Sequence, residues 1–182
     1  MALTALVYSF DVQLSLVDRG VYDAISFKAA QHPSESDEYL MTRVLAYCLE
    51  YREGIAFSRG LAEPDEPAIT VKDLTGAIQS WIEIGNPAAD RLHRASKAAP
   101  RVVIYTHRDA TAFVRQLGDQ RIHKKEAIEL YAIDRTLIEA LCERLDRRMT
   151  LTLLAQDGHL FITVGDNTME GAVQQASLGR TT

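Results

Sequence analysis

The sequence predicts a mixed α/β (α+β) fold: a central β-sheet flanked by helices, with an extra hairpin near each end of the chain. Three features predict it. The opening stretch alternates apolar and polar residues with a period of two. Helical and strand patterns then take turns along the middle of the chain, and a final hairpin closes it.

Between Leu6 and Leu16, Leu6, Tyr8, Phe10, Val12, Leu14 and Leu16 point one way, and Ser9, Asp11, Gln13 and Ser15 the other. That is the spacing of a strand with one buried face. Arg19-Gly20 marks a turn and Val21 to Ala29 returns with a looser alternation, so a hairpin is expected. His32-Pro33-Ser34 stops the strand. Ser34 is the expected N-cap of a helix with Asp37 three residues on, and Leu40, Val44, Tyr47, Cys48 and Tyr51 carry that helix to about Tyr51. Gly54 ends it, and Ile55-Ala56-Phe57 reads as a short strand before a loop from Gly60 to Pro67.

A second hairpin spans Ile69 to Ile84 and turns at Thr75-Gly76. Asn86-Pro87 opens a helix to about Ala98. Val102 to Tyr105 is a short apolar run of the kind found in an internal strand. Asp109 caps a helix to about Leu117, Ile128 to Ile133 is a strand, and Asp134 caps a helix bearing Ile138, Leu141, Cys142 and Leu145. The last hairpin runs from Leu151 to Val164 through Asp157-Gly158, and the polar tail after Gly165, residues 165–182, is expected to be loose. No repeat or linker divides the chain. Residues 1–182 therefore read as one domain with its core at about 34–146.

Composition narrows the function classes. An apolar content of 47% and a charged content of 25% fit a folded domain of this length. No apolar run reaches membrane-spanning length, and the first segment is not a signal peptide, so no membrane partner is expected. Cys48 and Cys142 lack paired spacing and lie in helical patterns, which reads as buried free thiols in a reducing, cytoplasmic compartment. The net charge of −5 excludes a globally basic surface. Nucleic acid as a partner would need a local basic patch, because phosphate neutralisation supplies most of such affinity. A protein partner or a homo-oligomer stays open.

The chemistry is carried by carboxylates. With Thr75-Gly76 as the turn, Glu83 sits across from about position 68, and Asp65 lies just beyond at the same end of the hairpin. Asp73 is about five residues further along the strand, roughly 16 Å at 3.3 Å per residue, too far to share an ion with Glu83. Asp65 and Glu83 form the pair able to hold Mg²⁺ or Mn²⁺, which take a few hard oxygen ligands and keep several waters. In an acidic protein two such carboxylates also read as a solvated rim. Glu35, at the start of the first helix, is a third candidate, although an acid there is favourable against the helix dipole without any ligand. Arg91, Arg94 and Lys97 recur by threes on the helix after Pro87, which reads either as a solvated face or as a source of positive charge near the carboxylates.

Several stretches, in order, resemble the YaeQ family over nearly the whole chain: His32-Pro33-Ser34-Glu35, Arg43-Val44-Leu45-Ala46-Tyr47, Phe57-Ser58-Arg59-Gly60-Leu61, Asp65-Glu66-Pro67, Leu74-Thr75-Gly76, Trp81-Ile82-Glu83-Ile84-Gly85-Asn86-Pro87 and Arg148-Met149-Thr150-Leu151. The resemblance implies a restriction-endonuclease-like core of the PD-(D/E)XK superfamily. In such nucleases an Asp and an acidic-x-Lys on adjacent strands bind metal and hydrolyse phosphodiesters. Carried over, Pro64-Asp65 and Glu83 supply the acids, and Glu35 joins them. The lysine two after Glu83 is replaced by Gly85, which nominates Arg94 or Lys97 as a migrated cation, Lys97 for proton transfer and Arg94 for charge alone.

Two functions follow as expectations. One is a Mg²⁺-dependent phosphodiesterase acting on nucleic acid, a hydrolase with Asp65 and Glu83 as ligands. The other is a non-catalytic regulatory or binding protein that keeps the nuclease-like fold, favoured by the acidic charge and by Gly85. A metal that only steadies the loop Gly60 to Pro67 is a third reading.

Overall fold

The computed structural model describes residues 4–58 and 65–179. Arg59 to Pro64, which include most of the expected Gly60–Pro67 loop, lie outside the described residues.

Strand β1 (Leu6–Leu16) turns through a short 3₁₀ segment at Val17–Arg19 into β2 (Val21–Gln31). Then come α1 (Asp37–Leu49), β3 (Ile55–Phe57), β4 (Ile69–Lys72), β5 (Ile78–Ile84), α2 (Ala89–Ala98), β6 (Arg101–Thr106) and α3 (Ala110–Leu117). The remainder is β7 (Glu129–Ile133), α4 (Arg135–Cys142), β8 (Arg148–Gln156), β9 (His159–Val164) and β10 (Asn167–Ser177). The strands form one mixed sheet in the order β2-β1-β8-β9-β10-β7-β6-β5-β4-β3. The pairs β1–β8, β5–β6 and β6–β7 are parallel and the others antiparallel.

The sheet curls round α1 until it is nearly closed. Leu40, Met41, Val44, Leu45, Ala46 and Cys48 are all at zero exposure, so α1 is buried round most of its circumference, with Thr42 and Arg43 as buried polar members. The two outermost strands meet over it. Phe27 of β2 lies 5.8 Å from Phe57 of β3, and Tyr47 of α1 packs on both rings at 4.6 and 4.5 Å. This larger core takes in Phe10, Leu14, Leu151, Leu153 and Ile162, so the hairpins expected at the chain ends line the same interior as α1. On the outer face, α2 and α3 cover a smaller core of Trp81, Leu92, Ile104, Phe113 and Leu130.

Three local expectations change. Ser36, not Ser34, caps α1, its hydroxyl accepting from the Tyr39 N–H at 3.1 Å, while Ser34 is bonded to His32 Nδ1 at 2.7 Å. Asp134 precedes α4, but its carboxylate accepts from the Ala172 N–H of β10 at 2.7 Å rather than from its own helix. The tail expected to be loose is a strand from Asn167 to Ser177, paired with β9 and then with β7. Ladder bonds come from the backbone, so a polar side-chain composition does not prevent a strand that two neighbours flank. Both cysteines are free. Cys48 is buried but Cys142 only half-buried, and burial pushes both thiols up to about 12. No described helix is long and apolar enough to cross a membrane.

Candidate functional site: a carboxylate–arginine end of the sheet

The β4–β5 ladder sets the geometry. Ile69 pairs with Ile82, so position 68 faces Glu83 and Asp65 lies three residues beyond, at the same end of the hairpin. Asp73 belongs to the opposite, turn end, where its carboxylate accepts from the Thr75 N–H, the Thr75 hydroxyl and the Ala77 N–H. Along β5, Ile82 and Ile84 enter the larger core, while Trp81 turns to the α2 side and Glu83 shares its parity.

Glu83 is buried at 3% exposure. Its Oε1 accepts from the Trp81 indole N–H at 2.6 Å and from Arg91 Nε at 2.7 Å. Arg91 also donates through Nη2 to the Glu66 carbonyl at 2.6 Å, tying α2 to the segment before β4. One turn on, Arg94 Nη1 meets Asp65 Oδ1 at 2.8 Å, with both side chains largely exposed. Asp65, Trp81, Arg91, Arg94 and Ala98 line a recess of about 160 Å³. Positions 91, 94 and 98 share one helix face, which is why these three turn to it. Lys97 is exposed and is not among the residues lining the recess.

Glu35 stands just before α1. Its Oε2 accepts from Arg43 Nη2 at 3.2 Å and from the His32 N–H at 3.3 Å. Its Oε1 and Arg43 Nε are buried without a hydrogen-bond partner among the described residues. Arg43 also donates to the Ala30 carbonyl, pinning β2 to α1. Burial raises the pKa of the Tyr39 hydroxyl of α1, with smaller effects from the charges of Glu35, Arg43, Glu83 and Arg91. The Tyr39 ring lies 3.8 Å from where a Cβ on Gly85 would stand.

Gly85 has φ +84°, a left-handed backbone that side-chain-bearing residues rarely adopt. A lysine there would be strained whatever the space around it. The backbone thus disfavours a cation at the position two after Glu83.

Burial raises the pKa of Glu83, opposed by the Trp81 N–H and by Arg91. Burial likewise raises that of Glu35 against the pull of Arg43. Three carboxylates thus each face a guanidinium, Asp65 and Glu83 at the hairpin end and Glu35 just before α1. Among the described residues no three His, Cys, Asp or Glu side chains converge as a metal-ligand group. Glu83 Oε1 and Asp65 Oδ1 already receive arginine N–H groups, and a divalent ion beside them would sit against those positive charges. As arranged, these donors do not fit a resident Mg²⁺.

Sequence reasoning placed Asp65 and Glu83 at one end of the hairpin and put Arg91 in the basic row of the following helix, but chose only Arg94 or Lys97 as the cation and did not nominate Trp81 or Tyr39. A signal for Trp81 was there, because it is two residues from Glu83 and hence on the same strand face. Tyr39 left no signal, because its place depends on how α1 seats inside the sheet.

A mixed α+β chain with four described helices, a nearly closed ten-stranded sheet and an acidic end neutralised by arginine defines the class of protein. The chain belongs to the YaeQ family, whose description, YaeQ protein, matches residues 1–173. It is 30% identical over 171 residues to the Escherichia coli (strain K12) protein described as uncharacterized protein YaeQ, covering 93% of this chain and 94% of that one. The Salmonella typhi protein of the same description is 31% identical over 174 residues, with the same coverage. Among solved structures, the YaeQ protein from Xanthomonas axonopodis pv. citri superposes with a TM-score of 0.86 at 29% identity, over 96% of this chain and 99% of that one. The YaeQ protein from Pseudomonas syringae gives 0.83 at 29% identity, over 96% and 98%.

Proposed function

We propose that this chain keeps a PD-(D/E)XK nuclease-like core as a binding protein for phosphate-bearing nucleic acid, with arginine in place of metal at its carboxylate end. One observation carries the reading: Glu35, Asp65 and Glu83 each face a guanidinium at 2.7 to 3.2 Å. The nuclease-like core is supported by the unit α1-β3-β4-β5-α2-β6, which puts Asp65 before one strand and Glu83 on its neighbour. Arg94 is the receptive group. Its exposed pair with Asp65 is worth only about 0–1 kcal/mol, so a phosphate can displace the carboxylate and be gripped through two N–H groups. Arg91, fixed by Glu83 and the Glu66 carbonyl, holds the recess in shape.

The second reading is a Mg²⁺-dependent phosphodiesterase with Asp65 and Glu83 as ligands, Glu35 assisting and Arg94 or Lys97 as the cation. The shared hairpin end of the two acids favours it. It requires both guanidiniums to leave their carboxylates. Calorimetric titration of Mg²⁺ and Mn²⁺ into the wild type and the Asp65→Asn/Glu83→Gln variant, with DNA and RNA cleavage and binding measured on the same samples, separates the readings. The binding reading expects no metal heat at millimolar ion, no cleavage, and salt-dependent nucleic-acid binding weakened in Arg94→Met. Metal heat that disappears in the double variant, together with cleavage, establishes the phosphodiesterase instead.

A further inference from the structure

A second cavity, of about 450 Å³, lies on the other face of the sheet. Tyr105 of β6 enters the larger core beside α1, whereas Trp81, on the side of Glu83, enters the smaller one beneath α2. The cavity opens between the C-terminus of α1, the β1–β2 turn, strands β6 and β7, and the β8–β9 turn. We propose that it binds a small organic anion, a carboxylate or phosphate head carried on a compact apolar body.

The head is specified by arginines. Glu50, buried just after α1, accepts two N–H bonds from Arg101 at 2.7 and 3.2 Å and the Tyr105 hydroxyl at 2.7 Å. Arg101 Nε donates to Glu129 as well. Two more guanidiniums flank this carboxylate. Arg19 donates one N–H to the Leu49 carbonyl at 2.7 Å and one to the Tyr51 carbonyl at 2.9 Å. Arg52 meets Glu50 only loosely, at 3.6 Å to Oε2 and 3.4 Å to the carbonyl oxygen, and stays 42% exposed.

Three guanidiniums thus lie around Glu50, with Glu129 and, at the rim, Asp18 as the other carboxylates. Arg19 and Arg52 act on each other as like charges, and both keep N–H groups beyond the bonds just described. An anion between them removes that repulsion. Asp18 lines the rim as well, with Oδ2 accepting the Asp157 N–H at 2.9 Å.

The body is specified by the walls. Leu16, Leu49, Leu160 and Val173 line the cavity with the Tyr105 and Tyr131 rings, which stack at 5.2 Å. The ion pairs thus stand beside an open recess with apolar walls. The volume is that of a small-ligand site, and apolar walls with a few fixed polar groups are its usual composition.

The test uses four probes on the wild-type chain, read by calorimetry and thermal shift: benzoate, phenyl phosphate, benzyl alcohol and inorganic phosphate. Benzoate or phenyl phosphate is expected to bind at millimolar concentration or tighter and to raise the melting temperature. The tighter of the two identifies the head. Benzyl alcohol and inorganic phosphate are each expected to bind at least about tenfold more weakly, which is 1.4 kcal/mol. Arg52→Met, at a half-exposed side chain that meets Glu50 only loosely, is expected to lose binding about tenfold while changing the unliganded melting temperature little. Ala155→Leu, which fills the cavity from β8 and leaves every arginine in place, is expected to lose it too. The proposal is overturned if neither aromatic anion binds, if inorganic phosphate binds as tightly as phenyl phosphate, or if both variants bind like the wild type.

Discussion

Glu50 and Glu83 are both buried and both face arginine, and burial alone would raise the pKa of each. They end on opposite sides of the ordinary value. At Glu50 burial is outweighed by the Arg101 N–H bonds and charge, the Tyr105 hydroxyl and Arg52, so its folded pKa is lowered. Its contribution to stability is therefore present above the unfolded pKa, about 4.3, and is lost as pH falls through the folded value. At Glu83 burial prevails over the Trp81 N–H and Arg91, and the folded pKa is raised. There the folded state holds the proton that the unfolded chain releases, so stability from this group declines as pH rises from the unfolded towards the folded value. Glu50→Gln is expected to cost about 3 kcal/mol at neutral pH, the penalty for breaking a buried pair, and less in acid. Glu83→Gln should stay within about 1 kcal/mol of the wild type and lose none of its relative stability as pH rises. Urea unfolding of both variants at neutral and mildly acidic pH tests this, and equal losses at the two positions would refute it.

Strand β10 shows where reading the sequence stopped short. It fills the gap between β9 and β7, and Gly171 lets α4 lie against it, since a Cβ there would stand 2.8 Å from the Leu137 Cβ. A chain ending at Gly165 loses that bridge and leaves two facing strand edges unpaired. It is expected to lack a cooperative thermal transition and to self-associate, as circular dichroism melting and gel filtration would show; a sharp native-like melt would mean the tail is dispensable. Elements with strong local signals were legible: the alternation of β1, the Thr75-Gly76 turn and the Asp109 cap all appear in the structure. β10 was not, because Asn167 to Ser177 is mostly polar and owes its conformation to partners distant in sequence. The acidic end followed the same rule. Hairpin register put Asp65 and Glu83 together, whereas the pairing of Glu50 with Arg101, 51 residues apart, left no local trace.

The sheet and α1 stabilise one another. Closure rests on Phe10, Phe27, Tyr47 and Phe57, a chain of ring contacts from β1 and β2 through α1 to β3. Phe27 is half-buried, so Phe27→Ala is expected to cost about 2 kcal/mol, below the range for a fully buried ring, while unfolding remains a single transition because both cores share the sheet. Calorimetry would expose two separable transitions if the ends of the sheet fold independently. The parallel pairing of β1 with β8 sets a further condition, one of time. Ser9 lies against Arg148, so β1 must wait for a strand made well over a hundred residues later before its inner edge is covered. Contacts so distant along the chain close slowly, so this pairing is expected to form late in folding. On the ribosome the β1–β2 hairpin emerges early with that edge bare, and the window in which it can pair with the wrong chain lasts as long as translation of the next hundred or so residues.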